Sequence, residues 1–220
     1  MRSYSFYKWR IWMILALSFV MSLFHRSAMG VISPAIATDF NASASTLGSV
    51  ASITFYTYAF MQVPAGLLLD YFGYKKISFL GVLITGIGSI ILGIAPHISL
   101  IFLGRFLVGF GSSVIFISIL KSQTIWFSKK DFTKASGLLS FIGNIGGMLA
   151  TFPLAILVGI IGWRYSIIAM GMLCVGIAFL IFIFVKDTPE SYGYPAEGEL
   201  PVTQQINFKQ GFVSLLTNPA

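Results

Sequence analysis

The chain has 220 residues, 56% of them hydrophobic and only 10% charged, with 21 Phe against seven acidic residues. At a mean hydropathy of +0.87, a domain of this size could not bury its apolar surface in water, so composition excludes a soluble globule and names lipid as the solvent. The net charge of +7 is scattered over short segments and forms no basic stripe, which argues against a nucleic-acid partner.

Apolar runs long enough to cross a hydrocarbon core of roughly 30 Å recur six times, at residues 12–32, 47–69, 77–95, 100–125, 135–161 and 165–185. They are continuous rather than alternating, and too long for transmembrane strands of about 10 residues. Residues 1–11 read as a cytoplasmic N-terminus, and the first run as an uncleaved helix, because no small-x-small site closes it. With that end in the cytoplasm, the inner segments hold Arg2, Lys8, Arg10, Lys75, Lys76, Lys121, Lys129, Lys130, Lys134, Lys186 and Lys209, whereas the outer segments hold Arg164 alone. This bias predicts an integral, multi-pass protein of a bacterial inner (plasma) membrane, with both ends inside. Cys174 is the single cysteine, so no intrachain disulfide can form. After Val185 the polar, Pro- and Gly-containing "KDTPESYGYPAEGELPVTQQ" predicts a cytoplasmic linker over 186–220. The apolar tail that follows it suggests a truncated chain, with the linker leading toward a missing second half.

The second and fifth runs share a register. Pro64/Pro153, Gly73/Gly162 and Lys75/Arg164 all pair at one offset of 89 residues. Three helices separate the copies, an odd number, so the units must lie in opposite orientations across the bilayer. The predicted fold is all-α and transmembrane, a six-helix bundle of two inverted three-helix repeats.

Two bases fall inside the helices, where an ionised side chain costs at least about 2.5–3.5 kcal/mol at the bilayer centre. Arg26 and Arg105 both come out about 8–9 Å below the outer surface at 1.5 Å per residue. At one level, and on repeat-equivalent helices, they could form an anion site. Arg26 shares a face with Ser22, Gly30 and Ser33, a small, polar stripe suited to a water-filled path. Arg105 has Gly109, Ser112 and Ser113 on its side, equally readable as close helix packing, and either arginine could instead snorkel to the surface. Lys121 reads as an interfacial anchor. Tyr56 and Gln62 in the second helix, and Asn144 within the polar stripe of Ser140 and Thr151, are further substrate-binding candidates; each could equally satisfy a neighbouring helix. His25, beside Arg26, is the coupling candidate, because imidazole titrates near neutral pH, with a plain packing role as the alternative.

The stretch "GLLLDYFGYKK" concentrates one acid and two bases between two apolar runs. Gly66, Leu68, Asp70, Gly73, Lys75 and Lys76 resemble the signature G-x-L-a-D-r-x-G-r-k in the link between helices two and three of the major facilitator superfamily, with Tyr71 where that family often has a base. "RFLVGFGSS", "WFSKK" and "GWRY" are also similar to family usage, and the resemblance spans residues 10–190. It implies half of a twelve-helix transporter, whose second six-helix half would face Asp70 and make Gly66, Asp70, Gly73, Lys75 and Lys76 an inner gate. The alternative is that the lysines only set topology and that Asp70 is their local counter-ion. Arg26 resembles the first-helix arginine of the family's organic-anion and phosphate-ester carriers.

The chain has no G-x-x-x-x-G-K-[ST], no H-E-x-x-H, no cysteine pair and no intramembrane aspartate pair, so ATP hydrolysis and intramembrane proteolysis lack their parts. The reading is a non-enzymatic carrier that needs no cofactor or metal. It would move a small organic anion by secondary active transport, as symporter or antiporter, through alternating access. Two rivals stand beside it: an amino-acid or short-peptide carrier of the same fold, and a non-transporting six-helix receptor or assembly subunit.

Overall fold

The computed structural model describes residues 4–194, and among them there are helices and no strand. The first pass combines α1 (Tyr4–Ser27) and α2 (Met29–Phe40), the second is α3 (Ala44–Phe72), and the third is α4 (Tyr74–Ile94). The fourth joins α5 (Ile98–Ser113) to α6 (Ile115–Trp126), and the fifth runs through α7 (Lys129–Leu149) into α8 (Phe152–Phe184). At Gly162, α8 turns, and its remainder is the sixth pass. A short 3-10 turn, Pro189–Tyr192, follows.

By length and composition, Tyr4–Ser27, Tyr74–Ile94, Ile98–Trp126 and the 56 residues Lys129–Phe184 are each apolar enough to cross a membrane, and the turn at Gly162 makes two passes of the last. α3 has 29 residues, about 44 Å at 1.5 Å each, but Ser45, Ser49, Ser52, Thr54, Thr57 and Gln62 dilute its hydropathy. The first helix starts at Tyr4, eight residues before the apolar run, because Tyr7, Lys8 and Arg10 continue the helix on the packed end of the bundle.

Passes alternate in direction. The Tyr4 hydroxyl donates to the Trp126 carbonyl at 2.9 Å, joining the start of the first pass to the end of the fourth. At the other end, Trp163 Nε1 donates to Asp39 at 2.9 Å, joining the start of the sixth pass to the end of the first. Every described base except Arg26, Arg105 and Arg164 lies at the end that carries the N-terminus, hereafter the basic side.

The inverted repeat is visible in the backbone. Gly73 has φ 81°, ψ 156° and Gly162 has φ 81°, ψ 160°, a conformation that a Cβ disfavours. Each turns the chain between two passes, at opposite ends of the bundle. In each, the second residue after the glycine ties the turn to the end of another pass, in one copy through its backbone and in the other through its side chain: the Lys75 N–H donates to Asp187 at 2.8 Å, and Arg164 Nη1 donates to the Ala95 carbonyl at 2.7 Å. The prolines of the match differ. Pro64 sits inside a continuous α3, whereas Pro153 opens α8, where its missing N–H is no loss.

α4 holds the bundle together. A Cβ on Gly86 would lie 2.8 Å from the Gly171 carbonyl of α8, and one on Gly88 would lie 2.8 Å from the Gly104 carbonyl of α5. Small residues let these helices approach until their backbones touch, the usual source of attraction where lipid removes the hydrophobic drive.

The start of the segment expected as a linker is packed structure. Pro189 is buried, Tyr192 stacks on Tyr7 with centroids 4.4 Å apart, and Tyr74 donates to the Lys186 carbonyl at 2.5 Å. Its aromatic residues, read in sequence as linker composition, supply the contact. The apolar tail of the expected linker lies outside the described residues.

Candidate functional site

Helix one breaks at Ala28, and the two membrane-embedded arginines meet the bundle beside that break. Arg105 is 2% exposed, and its Nη1 donates to the His25 carbonyl at 2.9 Å. Its Nε and Nη2 are buried without a partner. Arg26, the next residue along, turns the other way: its guanidinium lies over Phe55 and Tyr58 of α3, 5.4 and 5.2 Å from the ring centroids. It is partly exposed and makes no hydrogen bond or ion pair among the described residues. One turn away, a Cβ added to Gly30 would meet nothing within 4 Å, so the backbone beside Arg26 leaves open space. The two cations share a level but not a surface, because Arg105 is closed in between helices while Arg26 faces out.

His25 is 2% exposed and has Cys174 Sγ 3.6 Å from its Nε2. Ser22 is buried, whereas Gly30 is exposed, so the stripe proposed from spacing opens only toward its outer end. On α3, Tyr56 is 75% exposed and Gln62 partly so. Asn144 is exposed and spends its amide on the Ser140 carbonyl one turn back, at 2.7 Å. The signal for these groups was polarity alone, which does not tell a binding group from one capping its own helix.

On the basic side, Asp70 ends α3 and accepts from Lys121 Nζ at 2.5 Å, and the same ammonium donates to the Leu69 carbonyl at 2.9 Å. Lys121 therefore caps the helix and neutralises its terminal acid, rather than serving only as an anchor. The sequence placed Asp70 and Lys121 at the same end of two passes that run in the same direction, but not on faces that meet. Gly73 is needed for close approach as well as for its φ, since a Cβ there would fall 2.8 Å from Asp187 Oδ1. At Gly66, by contrast, a Cβ meets nothing within 4 Å among the described residues. Lys75 lays its ammonium 5.5 Å from the Phe182 ring centroid, and Lys76 is exposed. Asp187 and Asp39, which anchor the two glycine turns, went unremarked in sequence because each becomes significant only through a contact more than a hundred residues away.

Among the described residues no group of three His, Cys, Asp or Glu could hold a metal ion. What the site offers is a cation on aromatic faces near one end and a charge pair at the other. The family model described as Major Facilitator Superfamily matches residues 14–220. The chain belongs to this superfamily.

Similar proteins are spread over its members. An uncharacterized transporter, YybO of Bacillus subtilis, is 30% identical over 93% of this chain and 48% of its own length. A probable sulfoacetate transporter, SauU of Cupriavidus necator, is 27% identical over 90% of this chain and 45% of its own. A probable hexose phosphate transport protein of Chlamydia trachomatis is 26% identical over 89% and 43% respectively. The chain thus spans about half the length of the curated relatives it matches. Among solved structures, a bacterial homologue of the human lysosomal transporter Spinster, inward-facing and unoccupied, superposes with TM-score 0.75 at 20% identity, over 90% of this chain and 47% of that one. That likeness concerns the fold: six helices that match half of a major facilitator bundle.

Proposed function

We propose that these six helices are the amino-terminal half of a secondary active transporter that moves a small organic anion, a carboxylate or a phosphate ester, by alternating access. The observation that carries the reading is Arg26. A guanidinium within the membrane span is expensive, and this one has only aromatic faces for company, with open space at Gly30 beside it. Its hydrogen-bond donors suit two parallel bonds to a carboxylate or phosphate. The substrates for which two relatives are named, sulfoacetate and hexose phosphate, are anions of this size and support the class. Tyr56, Gln62 and Asn144 are proposed as polar groups around the anion. Arg105, being closed in, supports the site from behind.

The proposal places the basic side in the cytoplasm of a bacterial inner membrane, with a second six-helix half following in the same polypeptide. Asp70 then sits at the inner gate, with Gly66, Gly73, Lys75 and Lys76 around it and Lys121 as its partner within this half. His25 is kept as the coupling candidate.

The test is flux in proteoliposomes holding the full-length protein. Arg26→Lys should insert normally and weaken anion binding sharply, because an ammonium is a point charge where the guanidinium is a fork. Arg26→Ala, expressed at wild-type level, should transport nothing. Anion transport by Arg26→Ala at the wild-type rate would overturn the reading. Preference for a zwitterion over an anion would favour the amino-acid or peptide carrier, and absence of any flux from the wild type would favour the receptor.

A further inference from the structure

The fifth and sixth passes meet at the Gly162 turn on one side of the bundle, and on the basic side the start of α1 touches the chain at the end of each. Trp9 of α1 packs edge-on against Phe127, just before the fifth pass, with centroids 5.2 Å apart. Arg10 lies over Phe184, the last residue of the sixth pass, 5.2 Å from its centroid. Along α1 itself, Ser5, Phe6, Trp9, Arg10, Met13 and Ile14 line an open cleft of about 570 Å³, with the helix as its floor.

The cleft has two chemistries. Its floor is apolar, with Met13 63% exposed. Its head is a cation: Arg10 Nη2 donates to the Tyr192 hydroxyl at 3.1 Å and to the Phe184 carbonyl at 3.5 Å, and Nε is buried, which leaves Nη1 as the nitrogen to meet a ligand. No carboxylate among the described residues pairs with Arg10. Tyr7 and Tyr192, with centroids 5.0 and 5.9 Å from the guanidinium carbon, hold the side chain in place. Arg10 is six residues from the start of α1, about 9 Å along the helix, which sets it at the end of the pass where headgroups lie. Trp9 beside it is the residue type favoured at that level.

We propose that this cleft binds one anionic phospholipid of the leaflet on the basic side, its phosphate on Arg10 and an acyl chain over Trp9, Met13 and Ile14. A fixed guanidinium recognises phosphate, and the apolar floor recognises a chain that a free anion lacks. The inference rests on the membrane fold and is independent of the substrate reading.

The test uses full-length protein in detergent, loaded with phosphatidylglycerol or with phosphatidylcholine of the same chains, and counts retained lipid by native mass spectrometry. Wild type should hold one phosphatidylglycerol, and Arg10→Gln should hold about fivefold less, the worth of one near-surface cation. Met13→Trp, which fills the floor and keeps the charge, should lose it as well, while phosphatidylcholine retention stays low in all three. The proposal fails if Arg10→Gln retains phosphatidylglycerol as wild type does, if phosphatidylcholine is held equally, or if inorganic phosphate displaces the lipid as well as a short-chain phosphatidylglycerol does. It fails also if a cysteine at Met13 cannot be reached by a lipid-soluble maleimide, since the second half would then occupy the cleft. Anion flux through Arg26 is unaffected by any of these outcomes.

Discussion

Two arginines at one level show how a single side chain's surroundings decide its role. Arg26 keeps its donors uncommitted, whereas Arg105 gives one to the His25 carbonyl and leaves two nitrogens buried and unpaired. Burying a charge so poorly compensated does not favour stability, and exchange for an apolar side chain of similar size is often neutral or better. Arg105→Met is therefore expected to keep or raise the melting temperature of the purified protein while lowering transport. A loss on the order of 3–5 kcal/mol would instead make the carbonyl bond a structural tie. The Lys121–Asp70 pair differs in kind. With side chains 21% and 58% exposed, it is screened by water, and Asp70→Asn or Lys121→Gln should each cost less than about 1 kcal/mol. If the pair serves the gate, both variants should nonetheless change the labelling rate of a cysteine on the basic-side surface during transport. Unchanged labelling and flux would leave Asp70 as local charge balance.

Among elements, the glycine turns carry most of the architecture. Gly162 has a positive φ but open space around its absent Cβ, so Gly162→Ala should cost only backbone strain, about 1–3 kcal/mol. Gly73 has the same φ and also lies against the Asp187 carboxylate. Gly73→Ala should cost more, because it must also displace the Asp187 carboxylate that accepts from the Lys75 N–H. In a double-mutant cycle with Asp187→Ala measured by thermal unfolding, the excess of Gly73 over Gly162 should disappear. The turns were legible in the sequence, as glycines nine residues after prolines at one offset. The interruptions at Ala28 and Val114 were not: neither residue is proline or glycine, and both keep φ and ψ in the helical region. The aromatic dock of residues 186–194 was also hidden, since Tyr192 finds Tyr7 and Trp126, and the Lys186 carbonyl finds Tyr74, only after the ends of four passes converge.

For the whole molecule, exposure divides the helices into classes. Phe60 on the second pass is 78% exposed, and Phe152 and Ile160 on the fifth are 74% and 73% exposed, and these passes are equivalents in the inverted repeat. Such faces suit a second six-helix half, and the chain's span of about half of its relatives' length agrees with one. The segregation of bases predicts that single cysteines at Lys130 or Glu190, in a Cys174→Ser background, react with impermeant maleimide only after cells are opened, whereas one at Ser45 reacts without opening. The reverse pattern would invert the topology and move the Asp70 pair to the outer face.

Amphipathy in lipid is set by composition along the chain, so the sequence alone determined the membrane location, the six passes, the segregation of bases to one side and the inverted repeat. Backbone hydrogen bonds in a bilayer must close within each helix, which makes each pass a local decision. Which face of each helix meets another is a global one, fixed by backbone contact at small residues and by pairs far apart in sequence. Only the tertiary structure could separate Arg26 from Arg105, join Lys121 to Asp70 across 51 residues, and turn the first residues of an expected linker into part of the bundle.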